Sequence, residues 1–91
     1  MDDDFDWDET KSEWNRAQRG FGFEVVRTFD WNASATRISS RGDELRFYTS
    51  GVHHEIGPIA IVWTPRAGKV RIISVRRAHL KELRKNGIDQ A

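Results

Sequence analysis

The sequence predicts an α+β fold: two N-terminal helices packed on a four-stranded antiparallel sheet, closed by a short C-terminal helix. Three observations predict it. Apolar residues at helical spacing dominate the first third of the 91 residues, β-branched runs joined by short turns dominate the rest, and a charged amphipathic segment follows at 78–86. A chain of this length builds one core, so residues 1–91 read as a single domain, with 1–4 a loose acidic lead.

Phe5 and Trp7, two apart, read as a short strand or an anchor on the sheet. Asp8 is a good N-cap for a helix over 11–19, in which Trp14, Ala17 and Phe21 form an inward stripe at i, i+3 and i+7. Gly20 and Gly22 stop that helix. A second, shorter helix is expected over 23–29, with Phe23, Val26 and Phe29 inward. Strands follow at 33–39, 44–52, 59–64 and 69–78, separated by a turn at 40–43, a loop at 53–57 and a four-residue turn at 65–68. Connections this short favour antiparallel pairing, because parallel strands need long crossovers. In the last helix Leu80 and Leu83 face inward, Lys81, Arg84 and Lys85 face outward, and Gly87 follows as C′ residue.

The stretch 69–78 organises the rest. Val70, Ile72, Ile73 and Val75 favour a pleated strand, and Arg71, Arg76 and Arg77 give it a cationic margin. Such a mixture suits a central strand, covered by helix over part of its length and open to an anion over the remainder.

Composition narrows the function classes. No run of about 18 apolar residues is present, so no membrane span is expected. The start is acidic rather than basic-then-apolar, so no secretory signal is expected either. The absence of cysteine removes disulfides and thiolate metal sites and suits the cytoplasm. Ten aromatic residues, four of them Trp, must supply much of the core. The net charge of +1 hides an asymmetry. Six carboxylates fall in residues 1–9, which leaves eight acids against fifteen bases, or +7, in residues 10–91. Eight bases and a single acid, Glu82, lie between Arg66 and Lys85. A field of that sign attracts nucleic acid or an acidic protein, although a solvated basic face reads the same way.

His53 and His54 are adjacent and have no third ligand at metal spacing, so they read as a surface pair in a loop. Neither a nucleophile elbow nor a phosphate-binding glycine loop is present. Metal-free RNA cleavage needs a group to take the 2′-OH proton, cations for the crowded phosphate and a donor for the leaving oxygen. Arg46, Arg71, Arg76 and Arg77 are candidate phosphate ligands, and Glu44, His53, His54 and His79 candidate proton carriers. Arg71 and Arg76 are five apart and point to opposite faces of a regular strand, so they meet only if it bulges or ends. Arg46, on a neighbouring strand, is then the nearest second guanidinium. A non-catalytic binding module is the rival reading, with Tyr48 and Trp63 as stacking platforms among the arginines.

The run Phe5, Asp6, Trp7, Asp8, followed by Lys11, Asn15, Gly20, Phe23 and Glu24, resembles the opening of BrnT-type toxins. Arg46, Phe47 and Gly51 resemble the middle of that family, and residues 71–78 with Glu82 its end. The run 71–78 is the specific part, and the resemblance spans about 5–85. It implies a fold similar to RelE toxins, and a cytoplasmic endoribonuclease that cleaves mRNA and halts translation. It implies no cofactor, and it implies neutralisation by a ribbon-helix-helix (BrnA-like) antitoxin whose complex binds operator DNA. Carried over by position, Arg46, Arg71, Arg76 and Glu44 are the implied catalytic residues, with Arg77, Lys81 and Tyr48 contacting substrate. The chain departs from the family's common pattern at Gln18-Arg19, where Lys-His is usual, and at Lys85-Asn86, where many members carry tyrosine.

Overall fold

The computed structural model describes residues 4–87. The expected acidic lead therefore lies mostly outside the described residues. Asp4 is the exception: its carbonyl accepts a hydrogen bond from Val70 N at 2.8 Å.

The described residues hold, in order, strand β1 (Phe5–Trp7), helix α1 (Glu9–Arg19), two 3₁₀ helices (Phe23–Arg27 and Trp31–Ala33), strands β2 (Ala35–Ile38), β3 (Phe47–His53), β4 (Gly57–Arg66) and β5 (Lys69–Arg77), and helix α2 (Leu80–Lys85). The sheet order is β1-β5-β4-β3-β2. It has five strands and is mixed, not four and antiparallel as expected. β1 pairs parallel with β5, Phe5 opposite Val70 and Trp7 opposite Ile72. Three residues give no period-2 signal, and the crossover joining this parallel pair is most of the chain. The segment 69–78 does form an interior strand, flanked by β1 and β4.

α1 is capped and stopped where the sequence indicates, and it begins at Glu9, two residues before the expected start. The Asp8 carboxylate accepts from Thr10 N and Lys11 N, and Gly20 closes the helix at φ 90°. Its buried face differs from the expected stripe. Trp14 is 55% exposed and Ala17 is exposed, whereas Ser12 and Asn15 are buried. The reason is what lies beneath. α1 packs on the turn that follows it, where Asn15 Nδ2 donates to Phe21 O at 2.9 Å and Ser12 Oγ accepts from Phe23 N at 2.9 Å. Buried backbone groups need partners, so polar side chains face inward there.

The expected second helix is instead a five-residue 3₁₀ turn, followed by a second one capped by Asp30. Its two buried residues, Phe23 and Val26, are three apart, which is the spacing a 3₁₀ turn stacks on one side. Phe29 is buried as expected, but beyond the turn.

The β4–β5 hairpin turns on two residues rather than four. Ala67 and Gly68 both take positive φ, 54° and 78°, as a type I′ connection requires. Pro65 and Arg66 remain in the ladder opposite Val70 and Lys69. On one face of the sheet Ile59, Ile61, Ile72 and Val75 pack against Phe21, Phe23, Val26 and Phe29. Phe5, Trp31, Trp63 and Phe47 extend this core as a run of ring contacts 4.7–6.4 Å apart. Each fully buried Ile stabilises the fold by about 2 kcal/mol relative to exposure. α2 touches β3 on the opposite face, through Leu83 and through Asn86 Nδ2, which donates to Ala35 O and Ser50 Oγ. Leu80 is 45% exposed and does not share the inward role expected of it.

One irregularity sets the geometry of the charged residues. Val62 pairs with Ser74 but Trp63 pairs with Ile72, which leaves Ile73 as an extra residue in β5. Thr64 then faces Arg71 and Ala60 faces Arg76. Thr64 and Ala60 are four apart on β4, so Arg71 and Arg76 share a face despite their odd separation.

Candidate active site

The face bearing Arg71 and Arg76 is the one turned away from the aromatic core, and α2 covers only part of it. Asp6, Arg71 and Thr64 lie side by side across β1, β5 and β4, and Arg46 immediately precedes Phe47, the partner of Trp63. Cross-strand pairing therefore lines up four polar residues on the uncovered end.

Three of them, Arg46, Thr64 and Arg71, line a cavity of about 150 Å³ whose walls also include Asp8, Lys11, Glu44 and Arg66. Arg71 Nη1 donates to Asp6 Oδ2 at 2.8 Å, and Arg46 Nε donates to Glu44 Oε1 at 2.5 Å. The Arg46 and Arg71 side chains are each about one quarter exposed. Each ion pair is made through one guanidinium nitrogen, so most of each five-donor fork remains available. The Arg71 hydrogen bond holds the Asp6 carboxyl below its ordinary range. Among the described residues, the Lys11 ammonium and the Arg66 guanidinium make no side-chain ion pair.

Arg76 belongs to a second cluster. It lies four β4 positions from Arg71, about 13 Å at the usual rise per residue. Its guanidinium meets the Glu82 carboxylate with two bonds, 3.1 and 2.7 Å. Glu82 also accepts from Tyr48 Oη at 3.0 Å and from His79 N at 3.2 Å. The Arg76 hydrogen bonds, with help from His79 N and Tyr48, hold the Glu82 carboxyl down at about 2. Burial, and then the Glu82 carboxylate, push the Tyr48 phenol up, so it stays a protonated donor. The Tyr48 ring is nearly buried and carries the Arg37 guanidinium 4.6 Å from its centroid. This cluster ties α2 to the sheet.

Of the residues singled out in the sequence, Glu44, Arg46 and Arg71 meet in the cavity. Arg76 and Tyr48 are tied to Glu82. Arg77 lies on the other face, donating to Arg19 O at 2.8 Å over the Phe21 ring, and Lys81 is exposed on α2. Trp63 is half-buried between Trp31, which it meets edge-on, and Phe47, which it stacks on.

The histidine pair is not the surface pair expected. His53 ends β3 and is 1% exposed. Its Nδ1 accepts from Glu55 N at 3.1 Å, which leaves the proton on Nε2, 2.8 Å from Thr28 Oγ1. Burial, and then His54, lower its pKa. His54, stacked 4.7 Å away, is exposed, and so is His79, the N-cap residue of α2, but no histidine lines the cavity. Asp6, Lys11, Thr64 and Arg66 carried no site assignment in the sequence reading. The opening run that resembles the toxin family contains Asp6 and Lys11, and only the parallel β1–β5 pairing shows why they belong beside Arg71.

The model of the family described as "Ribonuclease toxin, BrnT, of type II toxin-antitoxin system" matches residues 7–82. Among solved structures, the fold is similar to the Brucella abortus ribonuclease toxin BrnT, with a TM-score of 0.61 and 22% sequence identity. The match covers 80% of this chain and 92% of that one. No curated protein matches the chain in sequence. A family match over most of the length, joined to the same α+β architecture, makes this chain a member of the BrnT family of type II ribonuclease toxins.

Proposed function

We propose that the chain is an endoribonuclease that cleaves mRNA without a metal ion, at the cavity between β5, β4 and the segment before β3. The convergence of Glu44, Arg46 and Arg71 on one small cavity carries the reading. A substrate 2′-OH attacks the adjacent phosphorus and passes its proton to Glu44. Arg46 and Arg71 neutralise the negative charge that builds on the non-bridging oxygens, which is the charge a metal would otherwise meet. We assign the proton for the leaving 5′-oxygen to Lys11, the ammonium in the cavity wall. The products are a 2′,3′-cyclic phosphate and a 5′-hydroxyl. Arg76, about 13 Å along the same face, suits a neighbouring part of the RNA chain better than the scissile phosphate.

Family membership implies an antitoxin partner. We propose a ribbon-helix-helix protein that covers the cationic face, represses its operon by binding operator DNA, and acts with the toxin in the cytoplasm. The excess of seven positive charges outside residues 1–9 supports an acidic partner surface.

The test is cleavage of single-stranded RNA in chelator. Wild-type chain should cut, leaving cyclic phosphate ends. Arg46→Ala and Arg71→Ala should each lose on the order of 10² in rate, and Lys at either position should recover only part. Undiminished cleavage by both Ala variants, or activity that requires added Mg²⁺, would overturn the mechanism. Binding of RNA without any cutting would leave a nucleic-acid-binding module in its place.

A further inference from the structure

A second cavity, larger than the first, adjoins it. It encloses about 330 Å³ and is lined by Lys11, Trp14, Asn15, Arg19, Phe23, Ile73 and Ser74. That volume lies at the lower end of small-ligand sites. Lys11 and Ile73 line both cavities, so the two are neighbours along β5. The extra residue of the β5 bulge is the wall between them.

Trp14 is the unusual member. It is 55% exposed on a helix whose buried positions are the polar Ser12 and Asn15, so the core does not account for it. The Arg19 guanidinium lies 5.2 Å from the centroid of its ring, held there by bonds to Asn15 Oδ1 (3.1 Å) and Val75 O (3.0 Å). One face of the indole is thus covered by a fixed cation while much of the side chain stays open to solvent. A half-exposed ring with a fixed guanidinium against it, sharing its cavity wall with an ammonium, combines a stacking surface for an unpaired base with charge for its phosphate.

Resting on the ribonuclease reading of the adjoining cavity, we propose that the Trp14 cavity is a base-binding subsite. It takes one unpaired nucleobase of the RNA next to the scissile phosphate. The base stacks on Trp14, and Lys11 contacts the phosphate that joins the two subsites. Stacking accepts any base, so the subsite selects for single-stranded substrate rather than for one sequence.

Two probes separate stacking from charge: a short single-stranded DNA, which has no 2′-OH to be cut, and an abasic strand with the same number of phosphates. Trp14→Ala should weaken the base-bearing strand roughly 5- to 100-fold and leave the abasic strand unchanged, and Trp14→Phe should restore most of the loss. With RNA, Trp14→Ala should raise KM and spare kcat. Wild-type affinity of Trp14→Ala for the base-bearing strand would overturn the proposal, and so would an equal loss on both strands. Arginine results are independent of it. Dependence on Trp14 with full cleavage by Arg46→Ala and Arg71→Ala would keep the base subsite and remove the arginine mechanism. Dependence on the arginines with none on Trp14 would do the reverse.

Discussion

Replacing Glu82 by Gln isolates one charge at the junction of α2 and the sheet. The amide is nearly isosteric, and its oxygen can still accept from Tyr48 or His79 N, so the change removes mainly the ionic part of the contact with Arg76. A carboxyl held from 4.5 down to about 2 corresponds at face value to about 3 kcal/mol of stability. The Arg76 side chain is 42% exposed and that of Glu82 29%, so solvent screening cuts the contribution to about 1–2 kcal/mol. The sign follows from linkage. The folded pKa lies below the unfolded one, so the stabilisation is complete above about pH 4.5 and fades as the pH falls toward 2. Glu82→Gln should therefore melt about 5–10 °C below wild type at neutral pH, and the two curves should converge near pH 2. Urea or thermal unfolding across that range is the assay. A gap that persists at full size at low pH would show that shape, not charge, holds α2. Equal stability at neutral pH would show that the pair contributes nothing.

Two further substitutions probe the packing. His53 is buried and neutral with a lowered pKa, so the unfolded chain takes up the proton first and wild-type stability should decline as pH falls below about 6.5. His53→Gln should flatten that part of the unfolding profile, and an unaltered slope would mean that other groups cause it. Gly51 needs no special backbone conformation, but a methyl there would sit 2.8 Å from Phe29 Cζ and 3.3 Å from Ser34 Cβ. Gly51→Ala should cost about 1–3 kcal/mol by overpacking, read from chemical denaturation. Wild-type stability would mean that Phe29 swings aside freely.

Legibility followed locality. Asp8, Gly20 and the turn at 40–43 act within a few positions of themselves, and the sequence marks them. β3, β4 and β5 carry β-branched and aromatic runs bounded by short turns, which locate them with shifted ends. The inward face of α1 was misread because its partner is the backbone around Phe21–Phe23, which calls for Ser12 and Asn15 rather than Trp14. Glu44, Arg46 and Arg71 were legible as residue types and through the family resemblance, but their meeting place was not. It depends on a parallel β1 whose partner lies some 65 positions further along the chain, and on a bulge that reverses the side-chain alternation of β5 between Arg71 and Arg76. Neither leaves a periodic trace. His53 was misread for a similar reason: only the tertiary fold shows that Thr28 and Glu55 N await its two nitrogens.

The parallel pairing of β1 with β5 also governs when Arg71 can gain its Asp6 partner. Asp6 and Arg71 are 65 positions apart, and Phe5–Trp7 has no sheet neighbour until Val70–Ile72 has been synthesised. At about 5–20 residues per second, β1 waits several seconds on the ribosome without its partner. Closing so long a loop places the pairing late in folding. The Asp6-braced Arg71 therefore appears only once nearly the whole fold is available.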